Sequence, residues 1–345
     1  MKQKINFASD NHAGIHVQVL DHIIKANVGS VPAYGTDSIT ELAISKMKEH
    51  FGGNAEIFFV GNGTAANVLG LKSAVRSYEA ILCSNLAHIH TSECGAPEAL
   101  IGCKLIAAPS THGKIDPSTL EIYFERKKNT NSAPIRVISV SQSTEYGTVY
   151  SLQELKQLAA FAQSKNCYFH VDGARFSNAV AAIGCTLGEM SNDIGIDILS
   201  FGGTKNGLMS AEAIVIFNPQ LKENFPFIRK QGLHLTSKMR FVSAQFLAYF
   251  EGELWRKNAS HSNQMALHLK DSLLKFIPHI HVTQAVQSNA VFARIPESII
   301  EKLLDEFHFH VWNKSLNEVR LMCSVDTTLD EIKLFSSSIS MHLEK

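Results

Sequence analysis

One lysine in the sequence, Lys205, stands on a glycine-rich turn between two short apolar runs. Residues 200–207 read Ser-Phe-Gly-Gly-Thr-Lys-Asn-Gly, and the runs at residues 194–199 and 213–217 predict buried strands on either side. The glycines of the turn allow positive φ and let a bulky group come close to the backbone. Desolvation in such a turn favours the neutral amine, which is the nucleophile that forms a Schiff base with a carbonyl carbon. A surface turn whose lysine points into water explains this stretch alone equally well.

A second stretch, Gly61-Asn-Gly-Thr64, falls between a predicted strand at residues 57–60 and a predicted helix at residues 65–75. The free N–H groups and the positive dipole end at a helix start favour an anion, and Thr64 adds a hydroxyl group. The stretch matches neither G-x-G-x-x-G nor a Walker loop, so a dinucleotide or ATP is not predicted. A tight turn without a ligand is the alternative for this stretch.

Two further stretches carry side chains that suit a flat cofactor. His170-Val-Asp-Gly-Ala-Arg175 ends the predicted strand at residues 167–171, where Asp172 and Arg175 form either a local ion pair or a binding site. An aspartate at this position can hold a protonated heteroaromatic nitrogen, which is the partner that pyridoxal phosphate requires. His88 can stack on the face of a flat cofactor or cap a helix.

The elements that must position these residues alternate between strand and helix from residue 57 to residue 217. This order predicts a mainly parallel sheet with helices on both faces, and ligands of such sheets bind outside the carboxyl ends of the strands. The pattern changes after Pro219, where residues 228–250 predict one long helix or a helix pair broken at Gly232. Short strands and helices then predict a small α/β domain. We expect an N-terminal segment at residues 1–30, a cofactor-binding large domain at 31–245 and a small C-terminal domain at 246–345.

Composition narrows the classes of protein to which the chain can belong. Its 345 residues carry 32 acidic and 32 basic side chains, a balance that gives no basic footprint for nucleic acid or an anionic membrane. No apolar run approaches the roughly 18 residues that a membrane span needs. The six cysteines show no C-x-x-C spacing, and the N-terminus lacks the apolar region of a signal peptide. We expect a cytoplasmic protein that binds neither nucleic acid nor membranes.

Taken in order, a phosphate-binding turn, a histidine, an Asp-x-x-Arg strand end and a lysine on a glycine turn form a recognisable series. With this series the sequence resembles the threonine aldolase and β-eliminating lyase group of fold-type-I pyridoxal-phosphate enzymes, and within it the low-specificity L-threonine aldolases. The resemblance runs from Asn6 to Asp326. Its most specific matches are Ser9-Asp10, Tyr34-Gly35-x-Asp37, Asn62-Gly-Thr-Ala-Ala-Asn67, Ala87-His88 with Glu93, Asp172-Gly-Ala-Arg175 and Thr204-Lys205.

The resemblance implies a fold-type-I α/β architecture, with a mainly parallel sheet in a large domain and a small C-terminal α/β domain. It also implies pyridoxal 5'-phosphate as the cofactor, with Lys205 forming the Schiff base to its aldehyde. The other implied contacts are the phosphate at Gly63 and Thr64 with help from Thr204, the pyridine nitrogen at Asp172, the phenolic oxygen near Arg175 and the ring face at His88.

The resemblance further implies the residues that meet the substrate. Ser9 and Arg320 match the positions that take the carboxylate of an amino-acid substrate. Tyr34 and the basic segment at residues 229–240 would approach from a neighbouring subunit. A homotetramer or homodimer with shared active sites is therefore implied.

One departure from the family pattern concerns the catalytic base. Many of these aldolases carry a Glu-Asn-Thr-His motif, whereas the corresponding stretch here, residues 141–148, reads Ser-Gln-Ser-Thr-Glu-Tyr-Gly-Thr and contains no histidine. His88 is the leading candidate for the base, because a histidine titrates near neutral pH. A water molecule held by Glu145 or Thr144 is the alternative. The departure also leaves open a substrate other than threonine.

The implied reaction is retro-aldol cleavage of L-threonine, L-allo-threonine or a related β-hydroxy-α-amino acid to glycine and an aldehyde, with Lys205, His88 and Asp172 as catalytic residues. A β-eliminating lyase acting on a β-substituted amino acid is the alternative, since it would share nearly every residue. A non-catalytic binding protein is disfavoured because both the lysine and the aspartate are present. A nicotinamide-dependent dehydrogenase is disfavoured because the dinucleotide fingerprint is missing.

Two pairs of histidines have spacings that a metal ion could use, His12 with His16 and His88 with His90. Neither pair comes with a clear third ligand or with an H-E-x-x-H sequence. The sequence therefore predicts no metal site.

Overall fold

The computed structural model describes residues 4–125 and 130–344. The strands in these ranges are β1 Ile5–Asn6, β2 Glu56–Val60, β3 Ala80–Ser84, β4 Lys104–Ala108, β5 Ile135–Ser141, β6 Tyr168–Gly173, β7 Ile198–Gly202, β8 Glu212–Ile216, β9 His281–Val282, β10 Ala290–Arg294, β11 Phe307–His308, β12 His310–Asn313 and β13 Glu318–Met322. The α-helices are α1 Val17–Ala26, α2 Ser38–Phe51, α3 Gly63–Ala74, α4 His88–Thr91, α5 Ala96–Ile101, α6 Pro117–Phe124, α7 Leu152–Ser164, α8 Phe176–Ile183, α9 Leu187–Met190, α10 Pro219–Lys222, α11 Phe225–Gln231, α12 Arg240–Phe250, α13 Leu254–Leu273, α14 Glu297–Glu306 and α15 Leu329–Leu343.

A seven-stranded sheet in the order β2-β8-β7-β6-β5-β3-β4 forms the centre of the large domain. Strand β8 is antiparallel to both of its neighbours, whereas the pairs from β7 to β4 are parallel. Strands β3, β7 and β8 are buried at every residue, as expected for strands covered by helices on both faces. The predicted mainly parallel α/β sheet is confirmed.

A second sheet of four antiparallel strands, in the order β12-β13-β10-β9, belongs to the C-terminal part of the chain. The predicted small α/β domain is thus present. The short strand β1 pairs with β11 beside this sheet, and Phe7 packs in the hydrophobic core of the C-terminal part. By contrast, Val19 and Trp255 pack in the core of the large domain. The boundaries at residues 30 and 245 stay a prediction.

Some predicted elements differ from those observed. The strand predicted at 194–199 begins only at Ile198, because Asn192–Ile194 forms a 3-10 turn that ends at Gly195 with φ +90°. Residues 228–250 are divided between α11 and α12, which are separated by a loop that starts at Gly232. The sequence also predicts a helix at residues 117–128; the observed helix is Pro117–Phe124, and residues 126–128 lie outside the described residues.

No helix within residues 4–125 and 130–344 is both long and apolar enough to cross a membrane. Cys83, Cys94, Cys103, Cys185 and Cys323 have free thiol groups, and among these five only Cys94 is exposed. The cytoplasmic location stays a prediction.

The glycines before Lys205 serve chain packing rather than the approach of a ligand. A Cβ atom at Gly202 would lie 2.4 Å from the carbonyl oxygen of Ala174, and one at Gly203 would lie 2.4 Å from Leu208 Cδ1. Of the three glycines in the turn, only Gly207 has positive φ, at +99°. The expectation that these glycines serve positive φ therefore holds at one position, and elsewhere the neighbouring chain excludes a side chain.

We expect Gly202→Ala to destabilise the protein by about 1–3 kcal/mol, because the new methyl group has to displace the backbone of Ala174. The matched control is Gly53→Ala, since nothing lies within 4 Å of the Cβ position there. Urea unfolding of both variants and the parent at one protein concentration measures the difference. Equal free energies of unfolding for Gly202→Ala and the parent would contradict the packing argument.

Candidate active site

A cleft of about 310 Å³ opens at the carboxyl ends of the parallel strands in the large domain. This is the edge at which ligands of such sheets bind. Six of the residues predicted to contact a cofactor line it together: Gly63, Thr64, His88, Asp172, Thr204 and Lys205.

The start of helix α3 forms one end of the cleft. The side-chain oxygen of Asn62 caps the helix by accepting a hydrogen bond from the N–H of Ala65 at 2.8 Å. The N–H groups of Gly63 and Thr64 have no acceptor among residues 4–125 and 130–344. Free N–H groups at the positive end of a twelve-residue helix make a site for an anion.

Lys205 lies on the 3-10 turn Thr204–Asn206 between β7 and β8, as predicted from the flanking apolar runs. Asn206 anchors this turn by donating hydrogen bonds to the hydroxyl of Tyr249 at 2.7 Å and the carbonyl of Trp255 at 2.8 Å. In the described parts of the chain the Lys205 amine has no hydrogen bond or ion pair, and it lines the cleft. The amine is therefore available to a ligand.

A buried carboxylate, Glu212, lines the cleft beside the lysine turn. It accepts a hydrogen bond from the N–H of Gly203 at 2.9 Å. Burial raises the pKa of Glu212, although a hydrogen bond from Thr204 and the charge of Lys205 oppose that shift. The hydroxyl of Thr204 also accepts a hydrogen bond from the N–H of Ala211 at 3.2 Å, so this side chain helps to hold the turn.

Asp172 lies near the end of β6, and its carboxylate is fixed on both oxygens. Oδ1 accepts a hydrogen bond from the N–H of Ala174 at 3.1 Å, and Oδ2 accepts one from Nδ2 of Asn67 at 2.9 Å. The residue is buried, yet it lines the cleft. Such a carboxylate can hold a protonated ring nitrogen in a fixed place.

His88 is the first residue of helix α4, and its ring contacts a second buried acid. Nδ1 of His88 lies 2.9 Å from Oε1 of Glu93, which also accepts a hydrogen bond from Asn67 at 2.8 Å. Ligand-type atoms of His88, Glu93 and Asp172 come within 4.8 Å of one another. The amide of Asn67 donates to both carboxylates, so hydrogen bonds account for this approach.

Glu145 lies behind His88 rather than in the cleft. Its Oε1 accepts hydrogen bonds from the N–H of His88 at 2.9 Å and the hydroxyl of Ser141 at 2.6 Å. Burial raises the pKa of Glu145 to about 6, with the hydrogen bond from Ser141 acting in the opposite direction. Thr144 is buried, and its hydroxyl pairs with that of Thr148 at 2.7 Å. Glu145 and Thr144, the residues predicted to hold a water molecule as the alternative base, are therefore not part of the cleft lining.

Arg175 forms a two-pronged ion pair with Asp10. Its Nε and Nη2 atoms lie 2.6 and 2.8 Å from the two carboxylate oxygens, and Asn289 donates a third hydrogen bond to Asp10 at 3.0 Å. Burial alone would raise the pKa of Asp10, but the charge and hydrogen bonds of Arg175 hold that pKa below its usual value. Arg175 therefore adjoins the cleft with much of its hydrogen-bonding capacity already used.

Ser9 and Arg320, the predicted carboxylate-binding pair, lie near each other, since Arg320 contacts Ala8, the residue before Ser9. The hydroxyl of Ser9 caps the 3-10 turn Asp10–His12, and Nη2 of Arg320 donates to the carbonyl of Ala8 at 3.2 Å. Burial and the nearby charge of Arg175 lower the pKa of Arg320 to about 10. Neither side chain belongs to the lining of the cleft, which they adjoin through the N-terminal segment.

Tyr34 lies away from the cleft and is 49% exposed. The amine of Lys230 lies 4.8 Å from the centre of the Tyr34 ring, and the N–H of Tyr34 donates to the carbonyl of Ser237 at 2.9 Å. Tyr34 and the segment at residues 229–240 therefore form one surface, as expected if both contact another subunit together.

Four polar residues in or beside the cleft have no predicted role: Asp10, Asn67, Glu93 and Glu212. The first three stand in the matched motifs, whereas Glu212 does not. For two of these residues, Asn67 and Glu212, the sequence offers an observation that could have predicted a role. Asn67 interrupts an apolar helix, and Glu212 begins the apolar strand β8. A polar side chain inside a buried apolar element needs a partner.

The sequence pattern of the β-eliminating lyase family matches residues 6–296 of the chain. The chain belongs to this family. Within the β-eliminating lyases it is 40% identical to the low specificity L-threonine aldolase of Pseudomonas sp. strain NCIMB 10558, over 98% of this chain and 97% of that protein. It is 37% identical to the Pseudomonas aeruginosa low specificity L-threonine aldolase, over 97% of each chain.

A solved structure of a threonine aldolase from Leishmania major has the same fold, with a TM-score of 0.92 and 28% identity over 98% of this chain and 99% of that one. The resemblance drawn from the motifs is confirmed, and the chain is an enzyme of a lyase family.

We expect Asp10→Asn to destabilise the protein by about 3 kcal/mol, because it leaves the guanidinium of Arg175 buried without its counter-charge. The pKa of Asp10 lies below its usual 3.8 in the folded protein. The ion pair therefore contributes fully above pH 3.8, and its contribution is lost as the pH falls through the lowered pKa.

Urea unfolding of the parent and Asp10→Asn at neutral and at acid pH measures this. The difference between the two should shrink in acid. Asp330→Asn is the control, since Asp330 pairs with Lys333 at an exposed site and should leave stability unchanged. A difference that stays constant into acid would contradict the assignment.

Proposed function

We propose that this lyase is a pyridoxal-phosphate-dependent aldolase. It cleaves L-threonine, L-allo-threonine or a related β-hydroxy-α-amino acid to glycine and an aldehyde. The observation that carries the proposal is one cleft in which the unpaired amine of Lys205, the fixed carboxylate of Asp172 and the free N–H groups of Gly63 and Thr64 converge. Two relatives of similar length named low specificity L-threonine aldolase support the choice of reaction.

The residues of the cleft fit pyridoxal 5'-phosphate. Gly63 and Thr64 would hold the phosphate at the start of α3, and Asp172 would pair with the ring nitrogen. Lys205 would hold the aldehyde carbon and His88 would cover the ring face. When bound, the cofactor supplies an electron sink for the electron pair of the broken Cα–Cβ bond.

Ser9 and Arg320 would bind the substrate carboxylate. Nε of Arg320 is buried without a hydrogen-bond partner among residues 4–125 and 130–344, so its guanidinium has an unused donor. Holding the carboxylate fixes the orientation of the Cα–Cβ bond relative to the plane of the cofactor.

His88 would take the proton of the substrate's β-hydroxyl group. Its ring lines the cleft, whereas Glu145 uses one carboxylate oxygen to hold the N–H of His88 and lies behind it. This placement favours the histidine over a water molecule held by Glu145 or Thr144. General base catalysis at this position would contribute about 10²–10⁴-fold to the rate.

We also propose a homotetramer or homodimer that completes the active site with Tyr34 and residues 229–240 of a neighbouring subunit. Large apolar side chains are exposed on or near the surface that carries Tyr34, with Phe227 74% and Leu233 91% exposed. Arg240 binds this segment to the carbonyls of Val28 and Gly29 at 3.2 and 3.1 Å. Contiguous patches of such exposed apolar side chains mark contact surfaces.

Product analysis tests the proposed reaction. With L-threonine, L-allo-threonine or phenylserine, the loaded enzyme should release glycine and the matching aldehyde in equal amounts. Lys205→Ala is the control and should release neither product at an appreciable rate. Ammonia and a 2-oxo acid in place of glycine would overturn the aldolase assignment in favour of β-elimination.

Chemical trapping tests the role of Lys205 apart from activity. Borohydride reduction of the protein loaded with pyridoxal 5'-phosphate should leave a pyridoxyl group on Lys205, which peptide mass spectrometry locates. Lys205→Ala should gain no covalent label even where it still binds the cofactor. Recovery of the group on another lysine of the parent protein would contradict the assignment.

A further inference from the structure

Asn67 donates hydrogen bonds from one amide nitrogen to two carboxylates in the cleft. Its Nδ2 lies 2.8 Å from Oε1 of Glu93 and 2.9 Å from Oδ2 of Asp172. The same Oε1 atom lies 2.9 Å from Nδ1 of His88. A continuous series of contacts therefore joins His88, Glu93, Asn67 and Asp172.

The burial of Glu93 calls for a partner that can carry positive charge. Its side chain is 0% exposed, and Oε2 has no hydrogen-bond partner in the described parts of the chain. A buried carboxylate is costly unless it is paired. Asn67 offers a neutral amide, and His88 is the only titratable group that hydrogen-bonds Glu93 among residues 4–125 and 130–344.

We propose that Glu93 is a positioning residue that orients the ring of His88 and strengthens it as the general base of the cleft. The inference rests on the aldolase function proposed above. A carboxylate oxygen accepts a hydrogen bond, so the contact puts the ring hydrogen on Nδ1 and leaves the lone pair on Nε2. Within the described residues Nε2 has no hydrogen-bond partner. Nε2 is therefore the atom that receives the proton.

The proton transfer from the substrate keeps the charges of His88 and Glu93 paired. The O–H bond of the substrate's β-hydroxyl group breaks and an N–H bond forms at Nε2, so the ring becomes an imidazolium in contact with the carboxylate of Glu93. No proton moves to Glu93. In a poorly solvated site such a contact stabilises the imidazolium as it forms.

Other titratable groups face His88 from the neighbouring elements. Asp172 at the end of β6 and Lys205 on the turn after β7 line the same cleft and bring opposite charges to it. Glu145 contacts the backbone N–H of His88. Asn67 places its donors between the carboxylates of Glu93 and Asp172, which reduces the repulsion between them.

The pairing of His88 with Glu93 is consistent with the departure of residues 141–148 from the family pattern. That stretch has no histidine, and its Glu145 uses Oε1 to hold the N–H of His88 and the hydroxyl of Ser141. A single histidine supported by Glu93 needs no second imidazole beside the substrate.

The test replaces Glu93 by Gln, which removes the charge and keeps the size, and by Asp, which keeps the charge. Glu98→Gln is the matched control, because Glu98 is exposed on the next helix. Diethyl pyrocarbonate modification of His88 is followed by peptide mass spectrometry between about pH 5 and pH 8, where histidine titrates. The full-length protein is used without substrate, and the exposed His90 serves as an internal reference.

In Glu93→Gln we expect the pH of half-maximal modification of His88 to fall, because the opposite charge in contact is gone. The value for His90 stays constant and Glu98→Gln resembles the parent, whereas Glu93→Asp, which keeps the charge on a shorter side chain, falls between the parent and Glu93→Gln. In the enzyme loaded with cofactor, kcat of Glu93→Gln falls. The decrease is smaller than the contribution of a complete general base, which is about 10²–10⁴-fold. The acid limb of its pH profile moves to lower pH, and KM changes little.

An unchanged His88 midpoint in Glu93→Gln overturns the inference, and so does a parental kcat in that variant. If this variant does not fold, Glu93→Asp decides, because its shorter side chain draws the carboxylate away from Nδ1 of His88: a midpoint and a kcat equal to those of the parent overturn the inference. The modification needs neither cofactor nor substrate. If the midpoint differs between the parent and Glu93→Gln but the parent has no aldolase activity, the proposed function is overturned and the His88–Glu93 contact remains supported.

Discussion

The register between strands β6 and β7 is the constraint on which the rest of the site depends. It sets Asp172 opposite Ser200 and Gly173 opposite Phe201. A Cβ atom at Gly173 would lie 2.7 Å from the carbonyl of Ser200, so the two strand ends approach closely only because no side chain intervenes there. Asp172 and the turn that carries Lys205 are thereby held at the same edge of the sheet.

Three buried carboxylates in or beside this site each have a neighbour that carries or can accept positive charge. Asp10 is paired with Arg175, Glu93 contacts His88, and Glu212 lies beside the lysine turn. Partners of this kind are needed because a buried charge without one is costly. The same partners also fix geometry, since an ion pair with two hydrogen bonds permits one orientation of the guanidinium. Stability and positioning therefore depend on the same contacts.

The sequence predicts the sheet and the lysine turn because both depend on local patterns. Short apolar runs separated by helical periodicity are enough to indicate strands such as β3 and β6, and the strand ends locate Asp172. The same reasoning places a strand too early at residues 194–199, since Ile194 and Ile196 are buried outside any strand. Burial is visible in an apolar run, but the backbone conformation that achieves it is not.

The contacts among side chains are the part that the sequence leaves open. Asn67 comes from helix α3, Glu93 from the loop between α4 and α5, and Asp172 from strand β6. Asn67 is 26 residues from Glu93 and 105 residues from Asp172 along the chain, so their meeting depends on tertiary packing. The role of Gly202 is of the same kind, because the atom that excludes a side chain there belongs to Ala174. Local sequence patterns cannot predict contacts between residues that are far apart in the chain.

The pairing of β1 with β11 links the N-terminal segment to the C-terminal part of the chain, although Asp10 is fixed to Arg175 in the large domain. Phe7 is bound by backbone hydrogen bonds to His308 and Met322. The stretch from Phe7 to Asp10 can reach at most about 10 Å when fully extended. Because this short stretch is fixed at both ends, moving the C-terminal part of the chain away from the cleft at this edge has to break one of those hydrogen bonds or the ion pair.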